Sequence, residues 1–350
     1  MLSSALLAFA LSTISASALR DVSLKVTGPS EVNGVENLKV VATITNTGDE
    51  TLKLLNDPYG PLSKVPTNTF TITTDARESP QFIGAKAKFV PSKAAERGAF
   101  TVLEPGKAIE VEHDISAAYN FTAPGEARYS FEANNVFYHV EEDGTVGDAL
   151  YASHDDAHAL SLSGKLVKAR VSPTPTSRLS KRASYNGCSS SEQRALASAA
   201  PAAQTYVANA LSYLQSHTSS TTRYTTWFGT YSSSRHSTVQ SHYTNMNGND
   251  YSSYSFDCTC DESGTYAYVY PEDFGTVYLC GAFWDAPLTG TDSKGGTLVH
   301  ESSHFTDNAG TDDHVYGQSS CRSLARSNPT EAIDNADSHE YFAENNPSQS

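Results

Sequence analysis

The sequence predicts an α+β protein with two unlike halves. An antiparallel, β-sandwich-like domain comes first, and a mostly helical domain with a small β-sheet follows. Three observations carry this. Short stretches with alternating apolar and polar residues, separated by turn signals, occupy residues 21–170. A Pro-, Ser- and Thr-rich stretch at 172–184 then breaks the pattern. Beyond it, apolar residues recur at helical spacing in an Ala- and Leu-rich segment. At 350 residues the chain is long enough for two domains of ordinary size.

The N-terminus, Met1 to Leu11, is a short apolar run, and Ala16-Ser17-Ala18 follows as a small-x-small cleavage pattern. No basic residue precedes Arg20. The run is too short, and too interrupted by Ser and Thr, to span a bilayer. Residues 1–18 are therefore expected to be a signal peptide, and the remainder a secreted protein without a membrane segment. Asp21–Val26 and Leu38–Thr45 are the first predicted strands, the second mostly β-branched and ending at the turn Asn46-Thr47-Gly48-Asp49. Phe70–Thr73, Ala108–Val111 and Tyr129–Phe131 are further strands, separated by turns at Pro105-Gly106 and Pro124-Gly125. Asn120-Phe121-Thr122 is the one glycosylation sequon, placing Asn120 on an expected surface loop. His154 and His158 stand four apart, but no third ligand accompanies them, and they are read as part of a solvated loop.

The stretch 172–184 ends in Lys181-Arg182, a dibasic pair in an exposed linker suited to proteolysis. Residues 19–183 are accordingly read as a propeptide and 184–350 as the mature protein; the plainer alternative is an interdomain linker. In the second half Ser191–His217 is a predicted helix that Pro201 should kink or divide. Thr221–Ser241 leans helical. Tyr266–Tyr270 and Thr276–Leu279 flank Pro271-Glu272-Asp273-Phe274-Gly275 as a hairpin. Lys294–Thr306 is a helix, and Asn328-Pro329-Thr330-Glu331 has the cap, Pro and Glu order that opens a final one.

All five cysteines lie in the second half, as in a chain that matures under oxidising conditions. Cys258 and Cys260 would point the same way on a strand, so they are expected to bond to Cys188 and Cys280 rather than to each other. Cys321 is left over, as a buried free thiol or an intermolecular bridge. From Ser184 onward there are 18 acidic residues against 6 basic ones, only Lys294 among them being a lysine; 11 lysines precede Ser184. The acidic balance argues against nucleic acid as a partner and favours cationic ligands, although solubility of a secreted protein would also account for it.

The chemistry concentrates in His300-Glu301-Ser302-Ser303-His304, an HExxH pattern. On a helix, residues i and i+4 share a face, so two imidazoles can grip one metal ion while Glu301 handles a proton. A zinc hydrolase uses three protein ligands and one open position. Asp307, Asp312, Asp313 and His314 are third-ligand candidates, as are Glu331 and Glu340 on spacing alone. A metzincin is excluded, because its glycine and third histidine positions are Asp307 and Gly310 here.

HExxH followed by Gly310-Thr311-Asp312-Asp313-His314-Val315-Tyr316-Gly317 resembles the deuterolysin, or aspzincin, family of fungal metalloendopeptidases. The resemblance covers essentially all of residues 184–350 and implies a zincin-like domain with one Zn2+ per chain. It assigns His300, His304 and Asp313 as ligands and Glu301 as the general base. Tyr316 then falls where a hydroxyl could stabilise an oxyanion. Asn335–Phe342, and the start Tyr185–Gln193, are similar to the peptidyl-Lys metalloendopeptidase branch. That likeness implies an acidic S1′ pocket made by Asp337 and Glu340, which are three apart on one helix face with Glu344 a turn further. It also implies cleavage on the amino side of lysine, and the disulfides Cys188–Cys258 and Cys260–Cys280. A solvated acidic helix face is the competing reading of Asp337 and Glu340, but scarcity of lysine is what an enzyme that cuts at lysine would need to spare itself. Such an enzyme could also open its own linker between Ser180 and Lys181. Lysine-containing proteins or peptides and the chain's own propeptide are the expected partners, and a monomer is expected. The rivals are a deuterolysin-type protease of broader basic preference and a non-catalytic secreted zinc-binding protein.

Overall fold

The computed structural model describes residues 19–154, 157–168 and 182–349. The expected signal peptide and most of the expected linker, including Ser180 and Lys181, lie outside the described residues, as do Asp155 and Asp156.

In the first half Val22–Thr27, Lys39–Asn46 and Ala108–Asp114 form an antiparallel ladder, with Ile44 opposite both Leu24 and Ile109. A second ladder joins Phe70–Thr74, Ala127–Ala133 and His158–Ser163. A third set combines Leu52–Leu55, Phe100–Leu103, Val136–Val140 and Val146–Tyr151. Alternation along Lys39–Asn46 buries every second residue. Val40 enters one core with Phe70, Ile72, Phe131 and Leu160. Ala42 and Ile44 enter another with Leu52, Leu54 and Phe137. One strand thus serves two apolar clusters, each shared between sheets.

The pairing is not wholly antiparallel, as the sequence reading had it. Ser23 and Leu24 run parallel to Ser153 and His154, and Glu31–Asn33 parallel to Ser161–Ser163. These additions satisfy edges that hairpins leave open. The backbone at His154 and His158 is therefore strand rather than loop. Asn120 also sits on a short strand, Tyr119–Asn120, where its side-chain oxygen accepts from the amide and hydroxyl of Thr122 at 3.0 and 2.7 Å.

The second half opens with a helix, Ser190–Ser216, that continues through Pro201, so the proline does not divide it. Proline deletes one backbone donor, but buried packing on both sides of it, from Leu196, Ala199, Ala200, Ala203 and Val207, holds the helix together. A capping box of Ser189 and Glu192 fixes its start. The segment read as leaning helical forms two helices, Thr222–Phe228 and Ser233–Asn247. They part at Gly229, where φ is +74° and a Cβ would lie 2.0 Å from the carbonyl oxygen of Ala325.

The sheet of this half carries Ser184–Asn186, Ser255–Asp257, Thr276–Leu279 and Thr265–Val269 in that order; the last two form the predicted hairpin. Its fifth strand is Lys86–Phe89, supplied by the first half and paired antiparallel to Thr265–Val269. No strand was expected there. Disulfides join Cys188 to Cys258 and Cys260 to Cys280, the pairing the resemblance implies, and Cys321 is a buried free thiol.

The final helix differs from expectation. Asn328 caps only a short turn, Pro329–Ala332, and a separate helix, Ala336–Glu344, follows. Buried Asn335 makes the break: its side-chain oxygen accepts from the amides of His314 and Val315 at 3.0 and 3.1 Å, so the chain turns to meet that loop. A helix at Gln318–Ser327 was not anticipated. Among the described residues no helix is long and apolar enough to cross a membrane.

Candidate active site

The helix Lys294–His304 begins at Ser293, whose hydroxyl accepts from the amide of Gly296 at 2.9 Å. It is buried on all sides and packs against Ser190–Ser216 and Ala336–Glu344. Gly296 permits that approach. A Cβ there would lie 2.0 Å from Oε1 of Glu344 and 2.8 Å from Oε1 of Glu340. The following loop folds back on the helix through the Thr311 amide, which donates to the Ser303 carbonyl at 3.1 Å, and a 2.7 Å contact between the two hydroxyls.

This fold brings Asp313 against the two imidazoles. Nε2 of His300 and Nε2 of His304 are 3.2 Å apart, and they lie 3.1 and 3.3 Å from Oδ1 and Oδ2 of Asp313. Nδ1 of His304 is 2.8 Å from the Thr311 carbonyl oxygen, so it carries the proton, and Nε2 faces inward with a lone pair. Oδ1 of Asp313 is buried without a hydrogen-bond donor. Lone pairs facing one another in a dry site call for a cation between them. The three separations also match the edge of a tetrahedron with zinc–ligand distances of ~2.0–2.1 Å, about 3.3 Å. The residues present fit zinc.

The other candidates stand elsewhere. Asp312 pairs with Lys86, and His314 Nε2 lies 2.9 Å from Asp334. Asp307 and Glu331 are exposed. Glu340 approaches His300 from the opposite side, 3.5 Å from Nδ1, and Asp337 is closer at 2.8 Å. A carboxylate against the outer nitrogen of a ligating histidine fixes ring orientation and raises its basicity. Asp337 is itself held by the Gly317 amide, which donates to Oδ2 at 2.7 Å.

Glu301 is buried beside the triad, and desolvation pushes its carboxyl up to about 7 against the pull of both imidazoles. Its Oε1 accepts from the backbone amide of Lys88 at 3.2 Å, while Oε2 has no partner. Tyr316 donates its hydroxyl to the carbonyl oxygen of Ala87 at 2.8 Å. Asp337 and Glu340 share one fully buried ammonium, that of Lys88, at 3.5 and 2.5 Å.

Sequence reasoning missed part of this pocket. Asp292 lies 3.3 Å from the same ammonium and accepts from the Tyr341 hydroxyl at 2.7 Å. The rings of Tyr266 and Tyr341 stand 5.2 and 5.6 Å from it. Glu344 does not touch the ammonium. Its Oε1 accepts from the amide and hydroxyl of Ser293 at 2.9 and 2.7 Å, its Oε2 from the Asp292 amide at 3.2 Å, and so it shapes the loop that presents Asp292. Only the left-handed backbone of Asp292, φ +51°, hints at its special place, and that is invisible in sequence.

Comparison with known proteins agrees with these observations. Residues 213–344 match the family model described as lysine-specific metallo-endopeptidase, the aspzincins. Over its whole length the chain is 59% identical to a peptidyl-Lys metalloendopeptidase of Grifola frondosa, with all of both chains covered. It is 54% identical to one of Armillaria mellea, over 97% of this chain and 96% of the relative. A third, from Pleurotus ostreatus, is 70% identical over 165 residues, 47% of this chain and 98% of that one.

Proposed function

The chain belongs to the lysine-specific metallo-endopeptidase (aspzincin) family and is a zinc metalloendopeptidase, and from that premise we propose that it cleaves on the amino side of lysine and is made as a secreted, inactive precursor. His300, His304 and Asp313 hold the zinc, which when bound polarises a carbonyl and acidifies water. Glu301 takes the proton of the attacking water and delivers it to the leaving amine. Tyr316 donates to the oxygen on which negative charge develops. Asp337 and Glu340 recognise the lysine ammonium. Family membership removes the rival of a non-catalytic zinc carrier.

The observation that carries the lysine preference is the burial of one ammonium among three carboxylates. Such a cluster of like charges is unfavourable without a cation. Burial opposes the charge on Lys88, but Asp337, Glu340 and Asp292 together keep its pKa well above the usual lysine value. A neutral aliphatic side chain would leave those acids unpaired, which is the strongest kind of discrimination a pocket can offer. The one lysine of the second half, Lys294, is half-buried and donates to the carbonyl oxygen of Trp284 at 2.8 Å, so it is shielded from such a pocket.

The boundaries 1–18, 19–183 and 184–350 remain the proposed signal peptide, propeptide and mature enzyme. A match of 165 residues covers 98% of the Pleurotus ostreatus relative, a span close to the 167 residues of 184–350. Two disulfides support an oxidising compartment, and Asn120 is the proposed glycosylation site. The test is digestion of a protein containing both lysine and arginine, with all new N-termini mapped. Lysine is expected at every new N-terminus, with no cutting in the presence of a chelator. Arginine among them would favour the deuterolysin-type rival of broader basic preference, and chelator-resistant cutting would overturn the reading.

A further inference from the structure

The strand Lys86–Phe89 of the first half enters the active site and lies against Glu301, Tyr316 and the acidic pocket. We propose that it is bound there as a substrate of its own chain, and that the Ala87–Lys88 peptide bond is cut in the same molecule as a step of maturation. The proposal rests on the functional reading above and deepens it by naming a bond.

Four independent contacts converge on one peptide unit. The backbone runs antiparallel to the edge strand, with Lys88 opposite Ala267 and Ala87 opposite Tyr268. Extended peptides bind sheet edges in this way, the main chain giving affinity and side-chain pockets giving selectivity. The side chain of Lys88 fills the acidic pocket, its ammonium 2.5, 3.3 and 3.5 Å from Glu340, Asp292 and Asp337. The carbonyl oxygen of Ala87 accepts from Tyr316 at 2.8 Å. The amide nitrogen of Lys88 donates to Glu301 at 3.2 Å. The bond between that carbonyl and that nitrogen therefore spans the two groups assigned to the oxyanion and to the leaving amine.

Plain strand addition would not need this. A lysine buried for packing alone would carry a large desolvation cost that an apolar residue avoids. Its neighbour Lys86 pairs with Asp312 outside the acidic pocket. Tyr59, also from the first half, donates to Oδ2 of Asp313 at 2.6 Å and accepts from the Ala87 amide at 3.0 Å, which fixes the residue before the bond. Clamps on both sides set the register. Ser63 and the Lys64 amide bind Glu262 at 3.1 and 3.2 Å, and Arg97 reaches the Ser263 carbonyl oxygen at 2.8 Å and pairs with Asp285. A cavity of about 600 Å³ bordered by Tyr59, Lys86, Asp313 and Tyr316 leaves room for water.

The step is a hydrolysis and balances with water alone. The hydroxyl of water joins the carbonyl carbon of Ala87, and the C–N bond breaks. One proton of the water passes through Glu301 to the nitrogen and the other follows from the new carboxylic acid, leaving a carboxylate on Ala87 and an ammonium at the new N-terminus of Lys88. The divided strand no longer forms one continuous edge, which loosens the first half from the cleft.

The test uses the purified full chain with zinc, followed by mass spectrometry and N-terminal mapping, with an added lysine-containing peptide as an internal control. A fragment beginning at Lys88 should accumulate at a rate unchanged by hundredfold dilution. It should be absent in Glu301→Ala, and cutting after Ala87 should be reduced about 10³-fold or more in Lys88→Ala. The wild-type arm needs no variant to fold. If the added peptide is cut before lysine while no Lys88 terminus ever forms, the proposal fails and the functional reading stands. A Lys88 terminus that forms equally in Glu301→Ala, or whose rate falls with dilution, also overturns it. If neither the peptide nor the chain is cut, the proposal also fails; the functional reading fails only if the chain, after an added protease has removed its first half, still leaves the peptide uncut.

Discussion

The two faces of the His300 ring make an instructive pair. On the Nε2 side stand His304 and Asp313, the two Nε2 atoms 3.2 Å apart and 3.1 and 3.3 Å from the two carboxylate oxygens, with Oδ1 lacking any hydrogen-bond donor. On the Nδ1 side stand Asp337 and Glu340, gathered around an ammonium. Both sides are buried and both are built for positive charge. They differ in the kind of cation. Nitrogen and oxygen lone pairs at tetrahedral spacing suit a small metal ion. Three carboxylates flanked by Tyr266 and Tyr341 suit a long aliphatic stem ending in an ammonium. Asp337 belongs to both sites, since it orients the ring and faces the lysine. The proposed metal site and the proposed lysine pocket are thus a single side chain apart.

That comparison can be broken at each of its parts. His304→Ala should abolish activity and lower bound zinc from one per chain to near zero, as measured by metal analysis. Glu301→Gln should lose about 10²–10⁴-fold in turnover with zinc retained, which separates the proton carrier from the ligands. Tyr316→Phe should lower kcat about 10²–10³-fold with little change in KM; a change confined to KM would show that the hydroxyl only binds substrate. Glu340→Gln touches the other face. It should cut the preference for lysine over norleucine about 10–100-fold, the worth of a hydrogen bond to a charged group, and leave zinc content unaltered. Loss of zinc instead would mean that the two faces are not separable.

The smallest effect concerns pH. His339, on the helix that carries Asp337 and Glu340, is fully buried, and desolvation followed by the nearby His242 lowers its pKa to about 3. In the unfolded chain it titrates near 6.5. Between those values the unfolded state holds the extra proton, so stability falls as pH drops below 6.5. The slope from this group is at most about 1.4 kcal/mol per pH unit. Urea unfolding from pH 6.5 to 4 should show it, and His339→Phe should flatten it.

Much of the candidate site was readable because helices space residues predictably. His300 and His304 at i and i+4, and Asp337 and Glu340 at i and i+3, share faces whatever else the chain does. The loop from Gly310 to Gly317 was readable only through its resemblance to known sequences, since nothing in its spacing alone separates Asp313 from Asp312. Asp292 was hidden because its position depends on Glu344 holding a loop far away in sequence. The strand Lys86–Phe89 was hidden for a related reason. Four residues, Lys-Ala-Lys-Phe, carry little periodicity, and their partner strand lies in the other half of the chain. At Pro201 the helix was not divided, because a local rule yielded to packing along a long buried face. Local patterns were legible, and contacts between distant segments were not.

The most direct measurement is anomalous diffraction at the zinc edge from crystals of the full chain. One peak is expected, about 2.0–2.1 Å from the Nε2 atoms of His300 and His304 and bonded to Asp313, with Lys88 on the other side of the ring. A zinc peak between Nδ1 of His300, Asp337 and Glu340 would contradict it.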